Sequence, residues 1–196
     1  MKKHGNILKS DEFLKAYNTK NNLKNLGITV VIGGGNVAFD SARTAIRMGA
    51  KEVYILYRRN KELMPAREVE LNDAIQDGVK MVFQTKVIGA KVENGKLKEI
   101  ECIKTKIENE KAVDIENSNY TMKADTVIFA IGSKINETFF TNMGLKTENG
   151  LLCVDENYMT NIEGIYAGGD SVETKSSVAR AIATGKKAAE SILKGK

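Results

Sequence analysis

An α/β fold is predicted, with a parallel β-α-β start and a later β-meander insertion, and three observations predict it. A β-branched run, Ile28-Thr29-Val30-Val31-Ile32, meets the cluster Gly33-Gly34-Gly35 and opens directly into an amphipathic segment. A second apolar run, Val53-Tyr54-Ile55-Leu56-Tyr57, ends on Arg58 and Arg59. Further on, the runs Val87 to Val92 and Leu97 to Lys106 flank Asn94-Gly95, a strong signal for a type I′ hairpin turn.

The glycine cluster has the Gly-x-Gly-x-x-Ala form of a dinucleotide-binding turn. Gly33 permits the tight turn, Gly35 lets backbone approach a pyrophosphate, and Ala38 lets the helix pack closely on the strand. Gly34, Asn36 and Val37 complete the loop, and the amides at the helix start would face the phosphates, where the helix dipole favours negative charge. Ala38, Ala42, Ala45, Ile46 and Gly49 share one helical face, and Gly49-Ala50 stops the helix. An ordinary strand-to-helix turn would need only part of this context.

The end of the second strand selects the nucleotide. An acid there would accept a hydrogen bond from the ribose 2′-hydroxyl of NAD(H). Arg58 and Arg59 stand there instead. A guanidinium can hold a 2′-phosphate through paired charge-assisted hydrogen bonds, which makes NADP(H) the expected ligand.

The 196 residues suffice for one sizeable core or two small ones, and 42% hydrophobic with 28% charged residues describes a globular protein instead of a disordered one. The net charge of +5 is spread along the chain without a basic block interleaved with aromatics, which argues against nucleic acid as a partner. Cys102 and Cys153 form no Cys-x-x-Cys, so no redox dithiol of that spacing, iron–sulfur cluster or zinc knuckle is expected; both read as small apolar residues in a reducing compartment. His4, the single histidine, reads as incidental, and no catalytic or metal-ligating constellation is found. Without an apolar leader after Lys2-Lys3 or a run long enough to span a membrane, the expected location is the cytoplasm.

In order, residues 1–27 read as a polar lead-in segment with one short helix capped by Ser10, bearing Asp11 and Glu12 in its first turn and contacts from Phe13, Leu14 and Tyr17. Residues 28–135 form the nucleotide domain. After the arginines, Asn60 to Arg67 holds the single proline, Pro65, and leads into a helix from Glu68 to Asp77 closed by Gly78. Val79 to Phe83 reads as a third strand, Glu108 to Tyr120 as a loose hairpin tip, and Asp125 to Gly132 as a buried strand ending in glycine. Within 136–196, Leu151 to Val154 reads as a strand, and a short strand before Asp170 ends at Gly168-Gly169. A closing helix from about Ser176 to Leu193 would carry Val178, Ala181, Ile182, Gly185, Ala189, Ile192 and Leu193 on one face.

Taken together, Val31 to Thr44, Tyr57-Arg58-Arg59, Met64-Pro65-Ala66, Ala130-Ile131-Gly132 and Thr160 to Asp170 resemble the two-dinucleotide-domain flavoprotein oxidoreductases. The pattern is most similar to the small (beta) subunit of NADPH-dependent glutamate synthase and its relatives. That resemblance covers nearly everything from Ser10 onward, and it implies a Rossmann-like three-layer β/β/α FAD/NAD(P)-binding fold carrying the β-meander. It also implies that Gly33 to Ala38 cradle the NADPH pyrophosphate and that Arg58 and Arg59 take the 2′-phosphate. Gly132, at the end of the Ala130-Ile131-Gly132 motif, joins the implied cofactor site. Asp170 would reach the ribityl chain of FAD, and Gly169 its phosphate region. Asp40 and Arg43 match the family's helix pattern, either as an ion pair within the helix or as ligand contacts.

Three features depart from that family. No first glycine fingerprint for the FAD adenosine half precedes Gly33, no cysteine-rich iron–sulfur region is present, and Ser133-Lys134-Ile135-Asn136 lacks an expected proline. The expectation is therefore a fragment, an NADPH domain with the carboxyl-terminal part of an FAD domain, although a naturally short protein remains open. In the complete enzyme NADPH would pass hydride to FAD, with electrons going on to a large catalytic subunit. Cofactors carry such chemistry, so binding residues are expected and catalytic ones are not. A non-catalytic NADP(H)-binding or sensing module, an NADPH:ferredoxin-type module and a scaffold with an empty site are the alternatives. The closing helix, deprived of its partner domain, would fold back, be mobile or pair in a homodimer; pairing is favoured because its small residues permit close approach.

Overall fold

The computed structural model describes residues 6–19, 23, 25–132, 135–173 and 177–194; His4, Ser133, Lys134 and the expected helix start at Ser176 lie outside them. Two compact units divide the chain, Met1–Ile131 and Gly132–Lys196. In the first, the described chain runs β1 (Asn6–Lys9), α1 (Ser10–Asn18), β2 (Ile28–Ile32), α2 (Asn36–Arg47), β3 (Glu52–Leu56), α3 (Glu68–Gln76), β4 (Lys80–Val82), β5 (Thr85–Glu93), β6 (Lys96–Glu108), β7 (Lys111–Asp114), β8 (Tyr120–Lys123) and β9 (Thr126–Phe129).

Side-chain alternation on the central strands builds the layers. The five-stranded sheet has the order β1-β9-β2-β3-β4, all parallel. Val31, Val53, Ile55 and Ile128 face one side, with Phe13 of α1, Phe39 and Ala42 of α2 and Leu71 and Ala74 of α3. Val30, Leu56 and Val127 face the other, against Leu97, Ile100 and Cys102 of β6. A strand covered on both faces has to be buried at successive positions, as Thr29-Val30-Val31 is, with the Thr29 hydroxyl satisfied by the Leu26 carbonyl at 3.1 Å. Helices, parallel sheet and antiparallel meander make the three-layer β/β/α arrangement expected from the sequence. Phe39 alone, fully buried, contributes about 1.5–3 kcal/mol through the surface it removes from water.

The meander turns at Asn94 and Gly95, both in left-handed conformation, as a type I′ turn requires. The stretch expected as a loose tip is ordered. β7 and β8 both pair antiparallel with β6, and the turn from β6 to β7 uses Asn109 and Glu110 at positive φ. The hairpin expected there is present, and its polar turn without glycine gives little sequence signal of how well it is ordered. At the other end, residues 6–18 give the sheet its edge strand and a packed helix. Ser10 does not cap α1. β1 runs straight into the helix, so Ser10 is already helical and Lys9 occupies the cap position without a side-chain bond. Arg43 pairs with Asp77 at 2.6 Å and Asp73 at 3.2 Å on α3, clamping two helices instead of bonding Asp40 in its own.

The second unit contains α4 (Glu137–Asn142), β10 (Thr147–Glu148), β11 (Leu151–Leu152), a 3-10 turn (Gly169–Ser171) and α5 (Val178–Lys194). The short strand expected before Asp170 reduces to one bridge, between Met159 and Tyr166. The packed face of α5 is also not the expected one. Thr184 and Ala188 are buried, whereas Val178, Ile182 and Leu193 are 78%, 56% and 71% exposed. On the packed side the Thr184 hydroxyl accepts a 2.8 Å hydrogen bond from the Gly169 amide.

Cys102 lies at the core of the meander, fully buried, and burial pushes its thiol up from an ordinary 9.0 to about 11. Below pH 9 the thiol is neutral in folded and unfolded chains alike and contributes no pH dependence. Between about pH 9 and 11 the unfolded chain releases this proton first, so stability falls as pH rises. Urea unfolding across that window should show a shallower decline for Cys102→Ala than for the unmodified protein; identical slopes would contradict the burial of this thiol.

Candidate functional site

The site is built at the carboxyl edge of the parallel sheet, where β2 and β3 end side by side with Ile32 opposite Leu56. The amide of Gly33 donates to the Leu56 carbonyl at 3.1 Å, carrying the pairing one residue beyond the strand. Gly33 has a φ of 150°, and a Cβ there would collide with the Ala130 carbonyl at the end of β9. A Cβ on Gly34 would enter the Tyr57 ring. Gly35 differs, because a Cβ would meet nothing within 4 Å. Structure alone therefore demands the first two glycines, and the third leaves open space above the loop. Ala38, fully buried, seats the helix on the sheet as its position in the motif suggests.

Asn36, Val37 and Ala38 form the first turn of α2. The Ala38 amide returns to the Gly35 carbonyl at 2.9 Å, and Val37 is 48% exposed. No side chain caps α2, and its first turn holds no acid. The positive end of the dipole and the first-turn amides are thus left to an anion.

Arg58 and Arg59 follow β3 directly, so the structure brings them to the same sheet edge as the glycine loop. Arg58 is exposed and Arg59 half-buried. Two buried polar atoms here have no hydrogen-bond partner among the described residues, Nε of Arg59 and Oδ1 of Asn60. Buried donors without partners are rare in folded proteins, and this one belongs to the arginine pair that the sequence reading assigns to a 2′-phosphate. The residues present therefore fit a phosphorylated dinucleotide: open backbone at Gly35, an uncapped helix start and a guanidinium with an unused donor.

The segment around Met64-Pro65-Ala66 acquires a role that spacing did not reveal. The Ala66 amide donates to the Gly34 carbonyl at 3.2 Å, and the Tyr57 hydroxyl donates to the Leu63 carbonyl at 2.8 Å. This loop braces the glycine turn from the far side of Tyr57. The remaining expected residues belong to the second unit. Gly132 and Gly169 have φ of 96° and 68°, the latter opening the 3-10 turn held by Thr184, and Asp170 is exposed. Among the described residues no group of three His, Cys, Asp or Glu side chains could hold a metal, and no helix is long and apolar enough to cross a membrane.

A β/β/α unit with a glycine turn after β2, arginines after β3 and a meander on the open face has the form of a dinucleotide-binding oxidoreductase domain. The chain belongs to the pyridine nucleotide-disulphide oxidoreductase family, which matches residues 2–188. It is 34% identical over 172 residues to the NADP(+)-dependent formate dehydrogenase subunit beta of Moorella thermoacetica, covering 84% of this chain and 24% of that protein. It is 37% identical over 176 residues to the glutamate synthase [NADPH] small chain of Azospirillum brasilense, covering 83% and 36%. The resemblance to the glutamate synthase small subunit therefore holds, and the chain spans well under half the length of these relatives. Among solved structures, the thioredoxin reductase of Lactococcus lactis shares the fold, with a TM-score of 0.76 at 20% identity over 97% of this chain and 57% of that one.

The contrast between the glycines is testable without ligand. Gly33→Ala should lower the unfolding free energy by about 1–3 kcal/mol, since it forces a side chain into a strained conformation against backbone. Gly35→Ala should cost less than about 1 kcal/mol, the effect of a poorer helix cap. Urea denaturation of both variants reads the difference, and equal losses would refute the assignment of open space above Gly35.

Proposed function

We propose that this chain is the NADPH-binding module of a glutamate synthase-type flavoprotein oxidoreductase. In this reading residues 28–135, joined by the strand and helix of residues 6–18, form the NADPH domain, and 136–196 form the carboxyl-terminal part of an FAD-binding domain. The observation that carries it is the Arg58-Arg59 pair beside the glycine turn, with Arg59 Nε buried and unpaired. The names of the formate dehydrogenase and glutamate synthase relatives, which specify NADP(+) and NADPH, point the same way.

The chain's own residues bind and orient. The amides of Asn36 and Val37 would hold the pyrophosphate over Gly35, with Gly34 and Ala38 fixing the loop beneath it. Arg58 and Arg59 would hold the 2′-phosphate. When bound, NADPH supplies the hydride, which a flavin accepts in the complete enzyme. Gly169 and Asp170 would contribute to the flavin side, and Gly132 begins the second unit at its boundary with the first. No side-chain acid or base is needed for the transfer. The partners implied are the remainder of an FAD domain and, beyond it, a large catalytic subunit in the cytoplasm.

NADP(H) should bind this protein more tightly than NAD(H). Arg58→Ala with Arg59→Ala should erase the preference and leave the weaker NAD(H) binding intact, a loss of about 1.5–3 kcal/mol per charged contact removed. Calorimetric titration with both nucleotides checks this, and equal affinities in the unmodified protein would refute it.

The exposed stripe of Val178, Ile182, Ile192 and Leu193 on α5 supports an incomplete second unit. In this chain by itself a second copy should cover the stripe, and FAD, held by a fraction of its contacts, should be lost in purification. Gel filtration with light scattering and a visible spectrum should give a dimer mass without flavin absorbance. A monomer mass refutes the pairing, and stoichiometric flavin refutes the incomplete site. Tight NADPH binding without any flavin-dependent NADPH oxidation on adding complete partner proteins would instead favour the sensing module.

A further inference from the structure

Three successive carbonyls after β3 are engaged by one neighbourhood of the first unit. The Thr85 amide donates to the Tyr57 carbonyl at 3.1 Å, the Thr105 hydroxyl to the Arg58 carbonyl at 2.6 Å, and the Gln84 amide to the Arg59 carbonyl at 3.1 Å. Thr85 opens β5, Thr105 lies in β6, and Gln84 sits before β5 at a φ of 50°. Gln84 and Thr105 also bond each other twice, Thr105 amide to Gln84 carbonyl at 2.9 Å and Gln84 Nε2 to Thr105 carbonyl at 3.3 Å.

A peptide group is planar, so fixing its oxygen fixes the plane. Anchoring the Tyr57, Arg58 and Arg59 carbonyls sets the planes on both sides of each arginine, and with them the direction in which each Cα–Cβ bond leaves the chain. Among the described residues, no side-chain hydrogen bond or ion pair holds either guanidinium, so the carbonyl anchors are the polar contacts that fix where each side chain starts. The Thr105 hydroxyl is the one side-chain group in this clamp, and its residue is 1% exposed. A valine would fill the same space on a buried strand; the hydroxyl is explained by what it holds.

We propose that Thr105 is a positioning residue for cofactor choice: through the Arg58 carbonyl it aims the arginine pair at the 2′-phosphate, so the meander takes part in nucleotide discrimination. The proposal rests on the reading of Arg58 and Arg59 as the 2′-phosphate site. Its signature is selective. A loosened arginine pair weakens contact with the extra phosphate of NADP+ and leaves unaltered the pyrophosphate contacts that NAD+ shares.

The test titrates NADP+ and NAD+ into the unmodified protein, Thr105→Val, Thr105→Ser and the double variant Arg58→Ala with Arg59→Ala. Thr105→Val should weaken NADP+ binding about fivefold, the loss of one buried hydrogen bond, and hold NAD+ within about twofold; Thr105→Ser should restore the NADP+ affinity. An unchanged NADP+/NAD+ ratio in Thr105→Val, with both affinities lowered or neither, overturns the proposal. If the unmodified protein shows no preference, or the double arginine variant keeps it, the underlying site reading fails and the proposal falls with it. Amide hydrogen exchange of the unmodified protein gives a second arm that needs no folded variant. By reciprocity, saturating NADP+ should slow exchange at Gln84 and Thr85 more than saturating NAD+ does, and equal protection overturns the proposal.

Discussion

Everything at the site depends on how closely two backbones and one ring approach the turn after β2. The Ala130 carbonyl lies where a side chain on Gly33 would be, and the Tyr57 ring lies where one on Gly34 would be. These contacts hold the ends of β9, β2 and β3 in one tight edge, and they aim the start of α2 outward without a cap. Removal of either glycine would move the strand ends apart, and with them the arginines that follow β3.

The meander is usually read as a cover for the apolar face of the sheet, and it is one: Leu97, Ile100 and Cys102 bury Val30, Leu56 and Val127. It also satisfies the carbonyls of Tyr57, Arg58 and Arg59, which leave the sheet before β4 and would otherwise have no strand to pair with. A buried carbonyl without a donor is costly, so the same strands that close the core also fix the residues that follow β3. Stability and the geometry of the site are thereby coupled in one set of hydrogen bonds.

Relatives named for formate dehydrogenase and for glutamate synthase share this segment at comparable identity, though they are named for different overall reactions. What this chain has in common with them lies within the 172 and 176 residues over which it matches each. The sequence outside this stretch makes up most of their length.

The amino-acid sequence determined the β-α-β unit, its glycine turn, the arginines after β3 and the hairpin at Asn94-Gly95. Each is written in consecutive residues, through hydrophobic period or a glycine that a local conformation requires. Tertiary structure decided what depends on distant partners. The strand Asn6–Lys9 is too short and polar to announce itself, and it exists because β9 offers an unpaired edge. Arg43 finds Asp73 and Asp77 on another helix in place of a neighbour in its own. α5 packs through Thr184 and Ala188, with Thr184 bonded to Gly169 fifteen residues away, and leaves exposed the apolar stripe that its periodicity suggests. Thr105 reaches Arg58 across forty-seven positions, and only the folded sheet brings them within 2.6 Å. Local rules fix which element forms; the pairing of buried donors and acceptors fixes where each one points.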